Sequence, residues 1–189
     1  LCFACDPYHA GDTRLTRSAL ELFRQFDRPV NVLTKNPQKL LDTDKDLFCE
    51  DCSLRLRVGT TLSFLSDELH RKWERRAPSP MSRLTALHEI DDIGVDTWIS
   101  LEPVLHIGQA CGVLRRVAWG EWREPPEIKI GPLNHAKAGY SPQKAVRALT
   151  IQAEYLNAVT ELRVMFKQDF RKYAQSDQME LGSVQNEEK

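Results

Sequence analysis

At 189 residues the chain is long enough for one sizeable core and too short for two ordinary domains and a linker. Lys and Arg number 26 against 27 Asp and Glu, so no whole-protein field draws in nucleic acid or an anionic membrane, though a local basic groove is still allowed. There is no apolar run of roughly eighteen residues and no signal-peptide pattern at the N-terminus, which predicts a soluble, cytoplasmic protein without a membrane partner. Five cysteines, an odd count, argue against a disulfide framework and leave reduced thiols or metal ligands.

The chain opens on a strand-like run, Leu1 to Cys5, with no Met or lead-in residues, which predicts that an upstream segment is missing. Leu15, Ala19, Leu22, Phe23 and Phe26 follow Asp12-Thr13 at the spacing of a buried helix stripe behind an N-cap. After Pro29, Val30 to Leu33 reads as a short buried strand, and Asn36-Pro37 opens a helix through Leu41. Residues 54 to 63 favour a strand and Asp67 to Arg75 a short helix. Ser79-Pro80 caps a helix whose buried stripe is Leu84, Leu87 and Ile90, stopped by Gly94. A strand from Val95 to Leu101, a helix from Ile107 to Ala118 and a strand around Ile128 to Ile130 come next. A helix opened by Ser141-Pro142 and a last strand, Leu162 to Phe166, complete the series. This alternation predicts an α/β fold with a parallel sheet and right-handed crossovers over residues 1–174, ahead of a disordered tail at 175–189.

Several of the apolar runs end in small polar or charged clusters: Cys5-Asp6-Pro7-Tyr8, Leu33-Thr34-Lys35-Asn36, Thr60-Thr61-Leu62-Ser63 and Ser100-Leu101-Glu102-Pro103. In a parallel sheet such strand ends share one face, where chemistry collects. Lys35 there can hold a carboxylate or phosphate, or stand as a solvated lysine at a helix start. Asp6 and Glu102 can face a ligand or serve as caps and salt-bridge partners. Thr61 and Ser63, two apart, project their hydroxyls to one side. Cys2, Cys5, Cys49 and Cys52 form two pairs with thiolate-ligand spacing, and a zinc-stabilised interaction module built on them is the non-enzymatic alternative. Strand geometry at Cys2 and Cys5, with Cys49 and Cys52 at the opposite rim, predicts that the pairs do not share a metal. His9, His70, His88, His106 and His135 lack ligand spacing, and only His135 falls at a strand end.

Taken in order, these clusters resemble the radical S-adenosylmethionine proteins related to spore photoproduct lyase. Gly59 to Leu65, Lys72-Trp73-Glu74, Ala77-Pro78-Ser79-Pro80, Arg83-Leu84, Trp98 to Pro103 and Lys129 to Asn134 extend the match over about residues 1 to 173. The resemblance implies a partial (β/α) barrel missing its N-terminal strands and cluster loop. It implies an enzyme that cleaves S-adenosylmethionine reductively with a 4Fe-4S cluster and abstracts hydrogen from a substrate, a nucleic-acid-related one among the classes left open. A flavodoxin or ferredoxin would donate the electron. By the same resemblance Lys35 pairs with the cofactor's carboxylate, Cys5 and Asp6 approach its amino group, Thr61 and Ser63 lie near it, and Glu102 helps shape the pocket. The family's three-cysteine motif is absent from this chain and would lie upstream of Leu1, so the fragment alone is expected to be inactive. The register of the lyase's hydrogen-donor cysteine falls on Phe3, which leaves the substrate unassigned.

Overall fold

The computed structural model describes residues 5–48, 54–132 and 139–173. The expected first strand, Cys2, Cys49, Cys52, His135 and the tail lie outside the described residues. Five parallel strands, β1 (Val30–Thr34), β2 (Leu56–Thr61), β3 (Asp96–Leu101), β4 (Glu127–Ile130) and β5 (Val164–Phe166), stand side by side in chain order. The helices are α1 (Arg14–Gln25), α2 (Pro37–Asp44), α3 (Asp67–Trp73), α4 (Pro80–Asp92), α5 (Ile107–Ala118) and α6 (Pro142–Val159). No helix among the described residues is long and apolar enough to cross a membrane.

Helix boundaries follow the local chemistry. Asn36, Ser66, Ser79 and Ser141 each accept an N–H of the first turn on a side-chain oxygen, and proline occupies the first helical position of α2, α4 and α6. Gly94 ends α4 at φ +96°, a conformation that favours glycine.

Strand order and pairing register decide which face carries what. Right-handed crossovers that always step to the next strand place their helices on one face of the sheet. On that face Val30, Val32, Val58, Ile99, Leu101, Ile128 and Ile130 are buried in a single apolar core with Leu84, Leu87 and Ile90 of α4 and Val113, Leu114 and Val117 of α5. The opposite face carries Asn31, Arg57, Trp98, Glu127 and Lys129. Arg57 Nη2 donates to Glu127 Oε2 at 3.0 Å, the Lys129 ammonium sits 4.7 Å from the Trp98 ring centre, and Trp98 Nε1 donates to Asn31 Oδ1 at 2.7 Å. Parallel sheets are ordinarily apolar on both faces, so this polar face departs from the common pattern.

One expected stripe holds only in part. In α1 Leu15, Leu22 and Phe26 are exposed and only Leu20 is buried. Polar anchors orient the helix: Thr16 Oγ1 donates to the Pro7 carbonyl, and Arg17 Nη1 to Asp44 Oδ1 at 3.0 Å. These bonds accompany an inward-facing Leu20, and of the expected stripe Phe23 packs half-buried against the core while Leu15, Leu22 and Phe26 stay outside. Within the expected Asp12-Thr13 cap the side-chain bond comes from Asp12, whose Oδ1 accepts the Arg14 N–H, while Thr13 makes none.

Candidate functional site

Lys35 and Asn36, at the carboxyl end of β1, line a cleft of about 530 Å³, within the range of small-molecule sites. One wall is the loop from Asp6 to Ala10, and the other is the turn from Trp73 to Pro78. Asp6 ties the first wall to β1. Its Oδ1 accepts from Thr34 Oγ1 (2.6 Å) and the Tyr8 N–H (2.9 Å), and its Oδ2 from the Lys35 N–H (2.7 Å). Behind the loop the buried Tyr8 hydroxyl donates to the buried Asp44 carboxylate at 2.8 Å. Burial, reinforced by that carboxylate, pushes the Tyr8 phenol far up, so it stays a donor.

Lys35 projects its ammonium toward the second wall and meets Glu74 Oε1 at 2.7 Å. The other oxygen of Glu74 lies 2.6 Å from Arg83 Nη1, so one carboxylate joins two cations. Arg83 is 1% exposed, and its Nε and Nη1 donate to the carbonyls of Pro78 (2.9 Å) and Thr61 (3.0 Å). Lys35, Glu74, Arg83 and the end of β2 therefore form one connected group. Thr61 joins it through its backbone. Ser63 lies two residues beyond Thr61, buried, and its Oγ has no hydrogen-bond partner among the described residues; the same holds for Arg83 Nη2.

Burial raises the Glu74 carboxyl, but Arg83 and Lys35 outweigh it and the net shift is downward from the ordinary 4.5. A depressed folded-state pKa stabilises the protein above the unfolded value, and that contribution is lost as pH falls through the folded one. Wild type is therefore expected to lose stability below pH 4.5 more steeply than Glu74→Gln, as read from urea midpoints across an acid series. Parallel acid limbs would show that Glu74 is not held ionised by its neighbours.

The remaining expected site residues stand apart. Cys5 is exposed at the start of the first wall. Glu102 follows β3 and pairs with Lys167, outside the lining of the cleft. Gly131 leaves it room, since a Cβ there would stand 2.6 Å from the Glu102 carboxyl carbon. Asp6 and Lys35 thus meet in one cleft, Thr61 reaches them through Arg83 and Glu74, and Glu102 occupies a separate part of the rim. The sequence reading gave no role to Glu74 or Arg83. Their signal was an acid among basic residues nine positions before an arginine on an otherwise apolar helix stripe.

Fold and rim define an α/β protein on a sequentially ordered parallel sheet, with a cleft that holds Asp6, Lys35 and Glu74 beside the carboxyl end of β1. No family model and no curated protein matches the chain. Among solved structures, Streptococcus suis SuiB bound to S-adenosylmethionine aligns at TM-score 0.62 and 10% identity, over 86% of this chain and 36% of that one. A second structure of Streptococcus suis SuiB aligns at TM-score 0.65 and 10% identity, over 90% of this chain and 40% of that one. The chain spans two-fifths or less of these two structures, and at this identity the likeness establishes the shared fold.

Proposed function

We propose that this chain is the S-adenosylmethionine-binding part, residues 1–174, of a radical S-adenosylmethionine enzyme, folded as part of a (β/α) barrel. The observation that carries the reading is the cleft itself: Asp6 and Lys35, paired by the family resemblance with one cofactor, converge there from separate segments. Sequential strand order with a polar face suits an open barrel, and a fold neighbour was crystallised with S-adenosylmethionine.

The residues present fit that ligand. Lys35 offers an ammonium to its carboxylate. Asp6 Oδ2 carries one hydrogen bond and keeps lone-pair capacity for its amino group. Ser63 Oγ and Arg83 Nη2 are buried donors without acceptors at the β2 end of the rim. Glu74 holds Lys35 extended, and a ligand carboxylate would share that ammonium with it. Cys5 stands beside Asp6 at the head of the first wall, and Glu102 is assigned to shaping the pocket from its separate place after β3. When bound, S-adenosylmethionine would supply a 5′-deoxyadenosyl radical to a substrate. The three-cysteine spacing of the resembled family does not occur in this sequence, so the 4Fe-4S ligands are proposed to come from outside this chain. The chain alone is accordingly proposed to bind the cofactor without cleaving it; the intact enzyme would act in the cytoplasm with a flavodoxin or ferredoxin as reductant.

Calorimetric titration of S-adenosylmethionine into the purified chain tests this. Measurable binding is expected, weakened tenfold or more in Lys35→Ala, in line with about 1.5–3 kcal/mol for a hydrogen bond to a charged group. Absence of binding in folded wild type, or equal binding by Lys35→Ala, would remove the assignment.

A further inference from the structure

Glu74 occupies the place on Lys35 that an incoming ligand acid would need. Its Oε1 lies 2.7 Å from the Lys35 ammonium, and its Oε2 lies 2.6 Å from Arg83 Nη1. The two contacts are unequal. Oε2 is buried and has no aligned hydrogen-bond donor among the described residues, since Arg83 Nη1 donates to the Thr61 carbonyl (3.0 Å). Nη2 of the same buried guanidinium has no partner there either. A guanidinium edge and a carboxylate oxygen thus stand together without a completed bond, while the other oxygen reaches out to Lys35, whose side chain is 40% exposed. The backbone under both residues is fixed. The Glu74 N–H donates to the His70 carbonyl (2.8 Å), the Glu74 carbonyl accepts the Ala77 N–H (2.9 Å), and the Lys35 N–H donates to Asp6 Oδ2 (2.7 Å). Any exchange at this point is therefore one of side chains.

We infer that Glu74 is a built-in occupant of the carboxylate position on Lys35, displaced by the ligand's own carboxylate and received by Arg83. Two carboxylates on one ammonium repel each other, and Glu74 is the one with a second cation beside it. Turning about its last side-chain bonds, it leaves Lys35 and lays both oxygens along Nη1 and Nη2, the two-pronged pairing to which guanidinium and carboxylate are matched. That arrangement gives the partnerless Nη2 its acceptor. Before the exchange Lys35 is not a bare cation, so a stray anion must outcompete Glu74 to reach it. After the exchange, occupancy of the cleft is felt at Arg83, and through it at the end of β2 and the start of α4. The identity of the ligand rests on the cofactor reading above; the exchange between Lys35 and Arg83 rests on the geometry of these three side chains.

Two measurements on the full chain test this. The first uses no ligand. Lys35→Met removes the outer cation and sends Glu74 wholly to Arg83, so Arg83→Lys, which keeps the charge and loses the fork, should lower the melting temperature by roughly 2–4 °C more in that background than in wild type. Equal losses in the two backgrounds overturn the inference. The second is calorimetric titration of S-adenosylmethionine and of decarboxylated S-adenosylmethionine, which keeps the sulfonium and the amine and lacks only the carboxylate. Glu74→Gln removes the internal competitor and should tighten S-adenosylmethionine roughly three- to tenfold, while the decarboxylated compound binds equally or more weakly. A role confined to holding the turn in shape would move both compounds alike. No gain for S-adenosylmethionine, or the same gain for both, overturns the inference. Should Glu74→Gln fail to fold, Glu74→Asp, one methylene short of Lys35, stands in with the same split expected. If neither compound binds to wild type or variant, the cofactor reading fails, and the melting comparison alone decides the exchange.

Discussion

Arg83→Ala is expected to cost about 3–5 kcal/mol, the range seen when one partner of a buried ion pair is removed. The guanidinium is 1% exposed, donates to the Pro78 carbonyl before α4 and the Thr61 carbonyl at the end of β2, and neutralises Glu74. Alanine leaves those carbonyls unpaired, opens a void beside Glu74, and strands a mostly buried carboxylate with Lys35 as its one remaining cation. For a chain of this size the melting temperature should fall by roughly 10 °C or more. Arg83→Lys keeps the charge but cannot make both carbonyl bonds in one planar arrangement, so it should recover part of the loss. The decisive comparison is with Glu74→Gln. In a double-mutant cycle Arg83→Ala should be milder once the carboxylate is gone, and strictly additive effects would show that the pair is not coupled.

Gly59→Ala is the second large effect. A Cβ at this position in β2 would stand 2.2 Å from Cε2 and 2.3 Å from Nε1 of Trp98. No real structure tolerates that approach, so the indole must move. It is held by its bond to Asn31 and lies against Lys129, and its displacement disturbs the polar face of the sheet. Overpacking and the lost indole bond together should cost about 3 kcal/mol. In a Trp98→Ala background the same substitution should be neutral or stabilise by a few tenths of a kcal/mol, because alanine restricts the unfolded chain more than glycine does. Urea denaturation of the four proteins checks this, and an equal cost in both backgrounds would place the strain elsewhere.

Much of the architecture could be read without coordinates because its signals are local. Ser79-Pro80 and Gly94 bracket α4, and Leu84, Leu87 and Ile90 face the core as their spacing requires. Short apolar runs ending in Thr34, Thr61 and Leu101 became parallel strands whose ends share a rim. The α1 stripe misled in part because periodicity reports a face and not what covers it; Thr16 and Arg17 anchor the helix to the Pro7 carbonyl and to Asp44, which sets its rotation. Glu74 and Arg83 escaped for a related reason. Each resembles an ordinary surface charge in a basic, polar stretch, and only the return of α4 beneath the end of β2 converts them into a buried pair. Asp6 and Lys35 were legible since both follow strand-like runs directly. The polar face of the sheet was not anticipated: Arg57, Glu127 and Lys129 alternate with Leu56, Ile128 and Ile130, a pattern that reads as an ordinary half-exposed strand.

The fastening of the Asp6 to Gly11 loop bears on how strongly any occupant of the cleft can be held. Asp6 grips β1, the Pro7 carbonyl receives Thr16, Tyr8 reaches Asp44 from one end and takes Asn36 Nδ2 on its carbonyl, and Lys39 Nζ donates to the His9 and Gly11 carbonyls. A segment without regular secondary structure is thereby ordered before a guest arrives. Immobilising a free loop residue costs about 1–2 kcal/mol of conformational entropy, and here folding has already borne it for this wall. Contacts made to this wall therefore pass into affinity with little deduction for ordering it, the advantage of a receptor preorganised in its binding geometry.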